Sequence, residues 1–106
     1  MNTPLDLEVI VQQTVAEFLF EGFDFKTYYV ENSAQHVYAI ITSSTINRSL
    51  VAFLAHIEDD KVFIEVDTTS KPEIPLYKVL MSKGIPRERM VLTYVGEHDP
   101  DKYHSQ

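Results

Sequence analysis

The chain of 106 residues carries 16 acidic and 9 basic side chains, a formal charge of −7, with 44% apolar and 11% aromatic residues. That is enough apolar material for one continuous core, and it predicts a single domain over residues 1–106 that needs no metal, cofactor or disulfide to fold. The lack of cysteine excludes a disulfide scaffold, a thiolate nucleophile and every Cys-dependent zinc site, and the acidic balance opposes general attraction to nucleic acid.

The start, Met1-Asn2-Thr3-Pro4-Leu5-Asp6, has neither the basic region nor the apolar core of a secretory signal. No apolar run approaches the ~18 residues of a membrane span. The expected location is cytoplasmic. Thr3-Pro4-Leu5-Asp6 reads as a helix start, with Thr3 as cap, Pro4 in the first helical position and Asp6 at the positive end of the dipole. Leu7, Ile10, Val11, Thr14, Val15, Phe18 and Leu19 then recur at the spacing of an amphipathic helix, and Gly22 is placed to end it.

Beyond Gly22 the period becomes two. Strands are predicted at residues 25–30, 36–43, 50–57 and 62–66, separated by Asn32-Ser33-Ala34, by Ser43-Ser44-Thr45-Ile46-Asn47 and by the hairpin Glu58-Asp59-Asp60-Lys61. The third is almost continuously apolar and is expected to be central. In the second strand, Val37, Ala39 and Ile41 lie on one face and His36, Tyr38 and Ile40 on the other. A second helix follows Ser70-Lys71-Pro72-Glu73-Ile74-Pro75, with Ile74, Tyr77, Leu80 and Met81 as its buried stripe and Gly84 beyond its end. A short helical turn at residues 85–89 leads to a last strand at residues 90–95, and the tail from Gly96 is polar. The expected fold is α+β: a helix, a four-stranded antiparallel meander, a second helix and a final strand, with both helices on one face of the sheet.

Catalytic and metal chemistry find little support. His56 stands beside Glu58, Asp59 and Asp60, and Glu97, His98, Asp99, Asp101 and His104 crowd the tail. The first group reads more simply as a strand end and a solvated turn, and the second has no rigid element to hold it. Ser43, Ser44, Thr45 and Ser49 share a loop without the glycines of a nucleophile elbow. Gly22, Gly84 and Gly96 are isolated, so no phosphate-cradling loop forms. No nucleophile, base and oxyanion donor are nominated together, and the chain is expected to be no enzyme.

An interaction surface is the class that remains. Tyr28 and Tyr38 are amphipathic anchors, and a sheet covered on one side only would expose a second face bearing Tyr28, Tyr38 and Ile40. Such a face suits a homodimer or a dedicated protein partner, with Glu58, Asp59 and Asp60 adding acidic contacts. Charge is also uneven. Lys71, Lys78, Lys83, Arg87 and Arg89 against Glu73 and Glu88 give residues 71–89 a charge of +3 in a chain of −7. These five cations are the candidate DNA contacts of a directionality factor; the simpler reading is a solubilised helix surface.

The second half of the chain carries a resemblance. His56-Ile57-Glu58-Asp59-Asp60-Lys61-Val62-Phe63-Ile64, then Asp67-Thr68-Thr69, then Gly84-Ile85-Pro86-Arg87-Glu88-Arg89-Met90-Val91-Leu92 resemble the XisI family, controlling factors of fdxN element excision in cyanobacteria. The chain has Asp60 where that family tends to glycine and Phe63 where it tends to tryptophan, and it lacks a Gly-Trp pair near Thr42-Ser43. The resemblance implies a small α+β domain with no named catalytic residues. It also implies an accessory role beside a recombinase and a nuclease-like companion, XisH. An acidic docking module for a basic, nucleic-acid-handling partner follows from it, with an antitoxin-like inhibitor of a nuclease as the alternative.

Overall fold

The computed structural model describes residues 6–19, 24–44 and 49–99. Helix α1 spans Leu7–Ala16. Its N-cap is Asp6 rather than Thr3: the Asp6 carboxylate accepts a hydrogen bond from the Val9 amide at 3.2 Å, an interaction that satisfies one orphan donor of the first turn. Thr3 and Gly22 lie outside the described residues, and the helix ends before Gly22, at a C-cap on Glu17. Leu7, Val11, Thr14 and Val15 form its buried stripe, whereas Leu19 is exposed.

Four strands follow, β1 (Phe25–Asn32), β2 (Val37–Ser44), β3 (Leu50–Glu58) and β4 (Lys61–Asp67), then α2 (Leu76–Ser82) and a short β5 (Met90–Leu92) flanked by single 3-10 turns. The sheet order is β1-β2-β3-β4-β5. The first four strands form the expected antiparallel meander. The last runs parallel to β4, so the five-stranded sheet is mixed. The reason is the crossover: parallel neighbours need a connection of a dozen or more residues, usually helical, and α2 supplies it. The predicted strand at residues 90–95 stops at Leu92, where Thr93–Val95 turn into a 3-10 helix.

Both helices pack on one face of the sheet. Leu7, Val11 and Val15 of α1 and Leu76 and Leu80 of α2 share a core cluster with Tyr38, Ile40, Phe53, Ala55, Val62, Ile64, Met90 and Leu92. The α2 stripe differs from the expected one. Leu76 and Leu80 are fully buried while Ile74 and Met81 are exposed, because Ile74 precedes the helix and Met81 falls on its outer side. The sheet's faces are also inverted relative to expectation. Register pairs Tyr29 with Ile40 and Tyr28 with Ile41, so Tyr38 and Ile40 point into the core and Tyr28 points away. Bulges between Ile40 and Ile41 and between Leu54 and Ala55 place Ala52 and Glu65 outside the regular ladder and keep alternation in phase across all strands.

Candidate partner-binding surfaces

Two surfaces stand out. The first is an acidic cleft at the end of the sheet. It forms where the start of α1, the turn between β1 and β2, and the turn between β3 and β4 converge. The cleft holds about 1020 Å³ and is lined by Asp6, Glu8, His36, His56, Glu58, Asp59 and Asp60 with no lysine or arginine. The β3–β4 turn projects two carboxylates because Asp59 and Asp60 both take positive φ, 51° and 66°, the backbone of a two-residue hairpin that follows the twist of its strands. His36, at φ 58°, ends the opposing turn. Its Nδ1 lies 2.6 Å from Glu8 Oε1, and the same oxygen accepts a hydrogen bond from the Tyr38 hydroxyl at 2.9 Å. These two partners hold the Glu8 carboxyl below the usual carboxylate range, His36 contributing most. Burial, reinforced by Glu8, pushes the Tyr38 phenol up to about 12.

Sequence reasoning placed Glu58, Asp59 and Asp60 here and missed Asp6, Glu8 and His36 as members of the same cleft. Their separation along the chain left no local signal. Tyr38 was expected on an exposed partner face. It is 2% exposed and serves as a core residue whose hydroxyl reaches the cleft wall. Tyr28 is exposed, but it stands on the opposite face of the sheet, so the expected partner residues do not form one surface.

The second surface is that opposite face. Over β1–β3 it carries Tyr28, Val30, Val37, Ala39, Ile41, Val51 and Leu54 by strand register. Tyr28, Val30 and Val51 are exposed. Toward β5 the same face closes: Phe63 and Val91 are each 4% exposed, His56 stacks on Phe63 with centroids 4.8 Å apart, and the buried Asp99 lies 2.7 Å from the Lys61 ammonium. The apolar opening is therefore confined to the β1 side.

The basic segment is largely occupied within the molecule. Lys83 pairs with Glu17 at 2.7 Å, Arg89 with Asp60 at 3.1 Å, and Arg87 with Glu97. Arg87 also lies over the Tyr77 ring at 5.5 Å and donates to the Met90 carbonyl at 3.1 Å, so it fastens the segment after α2 to β5. Lys71 and Lys78 are exposed and form no ion pair among the described residues. The five candidate DNA contacts thus divide into three internal tethers and two free cations.

Among the described residues, no group of three or more His, Cys, Asp or Glu side chains is placed to hold a metal ion, and no helix is long and apolar enough to cross a membrane. His56 Nδ1 instead faces Glu65 at 3.4 Å.

The fold and these surfaces define a two-layer α+β domain with an acidic end and one partly uncovered sheet face. Solved structures share the fold, and two of them bear on the sequence resemblance. One is a XisI-like protein from Anabaena variabilis ATCC 29413, with a TM-score of 0.63 and 16% identity, covering 83% of this chain and 80% of that one. The other is the fdxN element excision controlling factor XisI from Anabaena variabilis ATCC 29413, with a TM-score of 0.60 and 15% identity, covering 84% of this chain and 87% of that one. No protein-family model matches the chain, and no curated protein matches it by sequence. The XisI resemblance of the second half of the sequence thus meets the same fold over most of the chain.

Proposed function

We propose that this chain is a non-enzymatic controlling factor of DNA element excision. It acts by docking its acidic cleft on a basic, recombinase-associated or nuclease-like partner of the XisH kind. The observation that carries the reading is the fold shared with an excision controlling factor over more than four-fifths of each chain. A controlling factor is a regulatory description. The cleft favours protein over nucleic acid as the direct contact. Asp6, Glu8, Glu58, Asp59 and Asp60 line it without a lysine or arginine, and complementary fields of that kind accelerate encounter with a basic surface and set specificity. Internal pairing of Lys83, Arg87 and Arg89 removes most of the charge a directionality factor would place on phosphates.

The test is a pull-down against the product of the adjacent gene, with and without duplex DNA, across a salt series. The expected result is a complex that forms without DNA, weakens as salt rises, and is lost on Glu58→Lys with Asp59→Lys. A gel shift at low salt that disappears on Lys71→Glu with Lys78→Glu would replace this reading with direct DNA contact. Toxicity of the partner expressed alone, relieved by this chain, would mark an inhibitor of a nuclease instead.

A further inference from the structure

The open sheet face has a charge pattern that matches itself. Its centre is uncharged: Tyr28, Val30, Ile41, Val51 and Leu54 are contiguous by register. Two of its charges sit at opposite corners, apart from Glu58 and the Lys61–Asp99 pair at its far end. Lys26 shares the outward side of β1 with Tyr28 and Val30, is exposed, and forms no ion pair among the described residues. Glu65 bulges from β4 on the same side, where its carboxylate reaches His56 and accepts from the Thr93 hydroxyl at 2.9 Å.

We propose that two copies of this chain pair through these faces. A two-fold axis lying between the sheets, and bisecting the line from Lys26 to Glu65, exchanges the two corners. Lys26 of each copy then faces Glu65 of the other, and the apolar centres meet. The corners are separated by about four to five residues along the strands and three strand spacings across them, each roughly 15 Å. The axis therefore runs at about 45° to the strands, and the strands of the two sheets cross near 90°, one of the two preferred sheet-packing geometries. The face over β1–β4 measures about 500 Å² per copy, so a pair buries about 1,000 Å², the lower bound for a specific interface. A chain of net charge −7 can meet its copy closely only where its carboxylates are sparse, and the outward sides of β1 and β2 carry none from Lys26 to Asn32 and from Val37 to Ser43. The acidic cleft lies at the end of the sheet and stays available in the pair, so the dimer does not depend on the partner reading above.

Sedimentation equilibrium or light scattering tests it on the full chain. The expected mass is twice the 12.2 kDa of one chain. Val30→Lys, at an exposed position, is expected to give the single-chain mass with unchanged circular dichroism and thermal midpoint. Lys26→Glu is expected to weaken the dimer roughly fivefold, and mixing it with Glu65→Lys to restore a mixed dimer. A single-chain mass for the wild type at about 100 µM, a regime in which interfaces of this size associate, overturns the proposal. So does a dimer that survives Val30→Lys, or one that forms only when residues 100–106 are deleted. Loss of partner capture with the dimer intact would instead refute only the excision-partner reading.

Discussion

The hydroxyl of Tyr38 in β2 donates to the carboxylate of Glu8 in α1 at 2.9 Å, joining the helix layer to the sheet at the rim of the acidic cleft. Tyr38 is 2% exposed, so its ring is core and only its oxygen looks toward the cleft. Tyr38→Phe keeps the packing and removes one hydrogen bond. The expected loss is about 1 kcal/mol, measured by urea denaturation with an unchanged m value.

The same pair gives the domain a defined response to pH. His36 and Tyr38 lower the Glu8 carboxyl, while the Leu92 amide, followed by Arg87, lowers that of Glu97. A depressed carboxyl contributes stability above its unfolded value of 4.5 and loses it as pH falls through the lower folded value. At the alkaline end the sign reverses. The Tyr38 phenol, raised from 10.0 to about 12, contributes stability that is complete below pH 10 and lost as pH rises through 12. Denaturation midpoints are therefore expected to fall below pH 4.5 and again above pH 10. Glu97→Gln should flatten the acid limb and Tyr38→Phe the alkaline one; a profile identical in both variants and wild type would contradict these assignments.

The elements were legible in the sequence because their periods differ cleanly: three and four for Leu7, Val11, Thr14 and Val15, two for the strands. The facing of β2 was not, since Val37-Tyr38-Ala39-Ile40-Ile41 is apolar at every position and alternation alone cannot say which side meets the helices. Register with Tyr29 and the burial of Phe53 and Ala55 decide it. The direction of β5 was hidden for a related reason, as an apolar run has no polarity; the helix between two neighbouring strands was the available clue. Acidic Glu58-Asp59-Asp60 was visible as a local run, but Glu8 and His36, 28 positions apart, meet only through tertiary structure.

A second long-range contact fixes where α2 begins. Pro75 is its N-cap and supplies no side-chain hydrogen bond. Asp67, at the end of β4, does so instead: Oδ2 accepts from the Leu76 amide at 2.9 Å and Oδ1 from the Thr69 amide at 2.8 Å. One carboxylate thus shapes the loop and caps the crossover helix. Asp67→Ala is expected to cost about 1–2 kcal/mol and to reduce helical circular dichroism. Asp67→Asn, which keeps one good acceptor, should cost less. Equal losses in the two variants would show that both oxygens of the charged carboxylate are required, and no loss in either would mean that Asp67 does not cap α2.

The hairpin between β3 and β4 makes the sharpest backbone prediction. Asp59 and Asp60 both occupy the left-handed region, Asp60 at φ 66°, where a side chain is disfavoured and glycine is not. Asp60→Gly relieves that strain but removes the ion pair with Arg89, whose partner carboxylate is almost fully exposed and therefore contributes little. Glycine also gives the unfolded chain more freedom, so its effect against the wild type is expected to be near zero. Asp60→Ala loses the same carboxylate while keeping a Cβ in the left-handed region. The Gly variant should therefore be more stable than the Ala variant by about 1 kcal/mol, a difference in which the ion pair cancels. Hydrogen exchange at the Lys61 amide, beside the turn, should slow in the same order. An Ala variant as stable as the Gly variant would mean that the turn relaxes out of this conformation at no cost, and that the projection of Asp59 and Asp60 into the cleft is not fixed by the hairpin backbone.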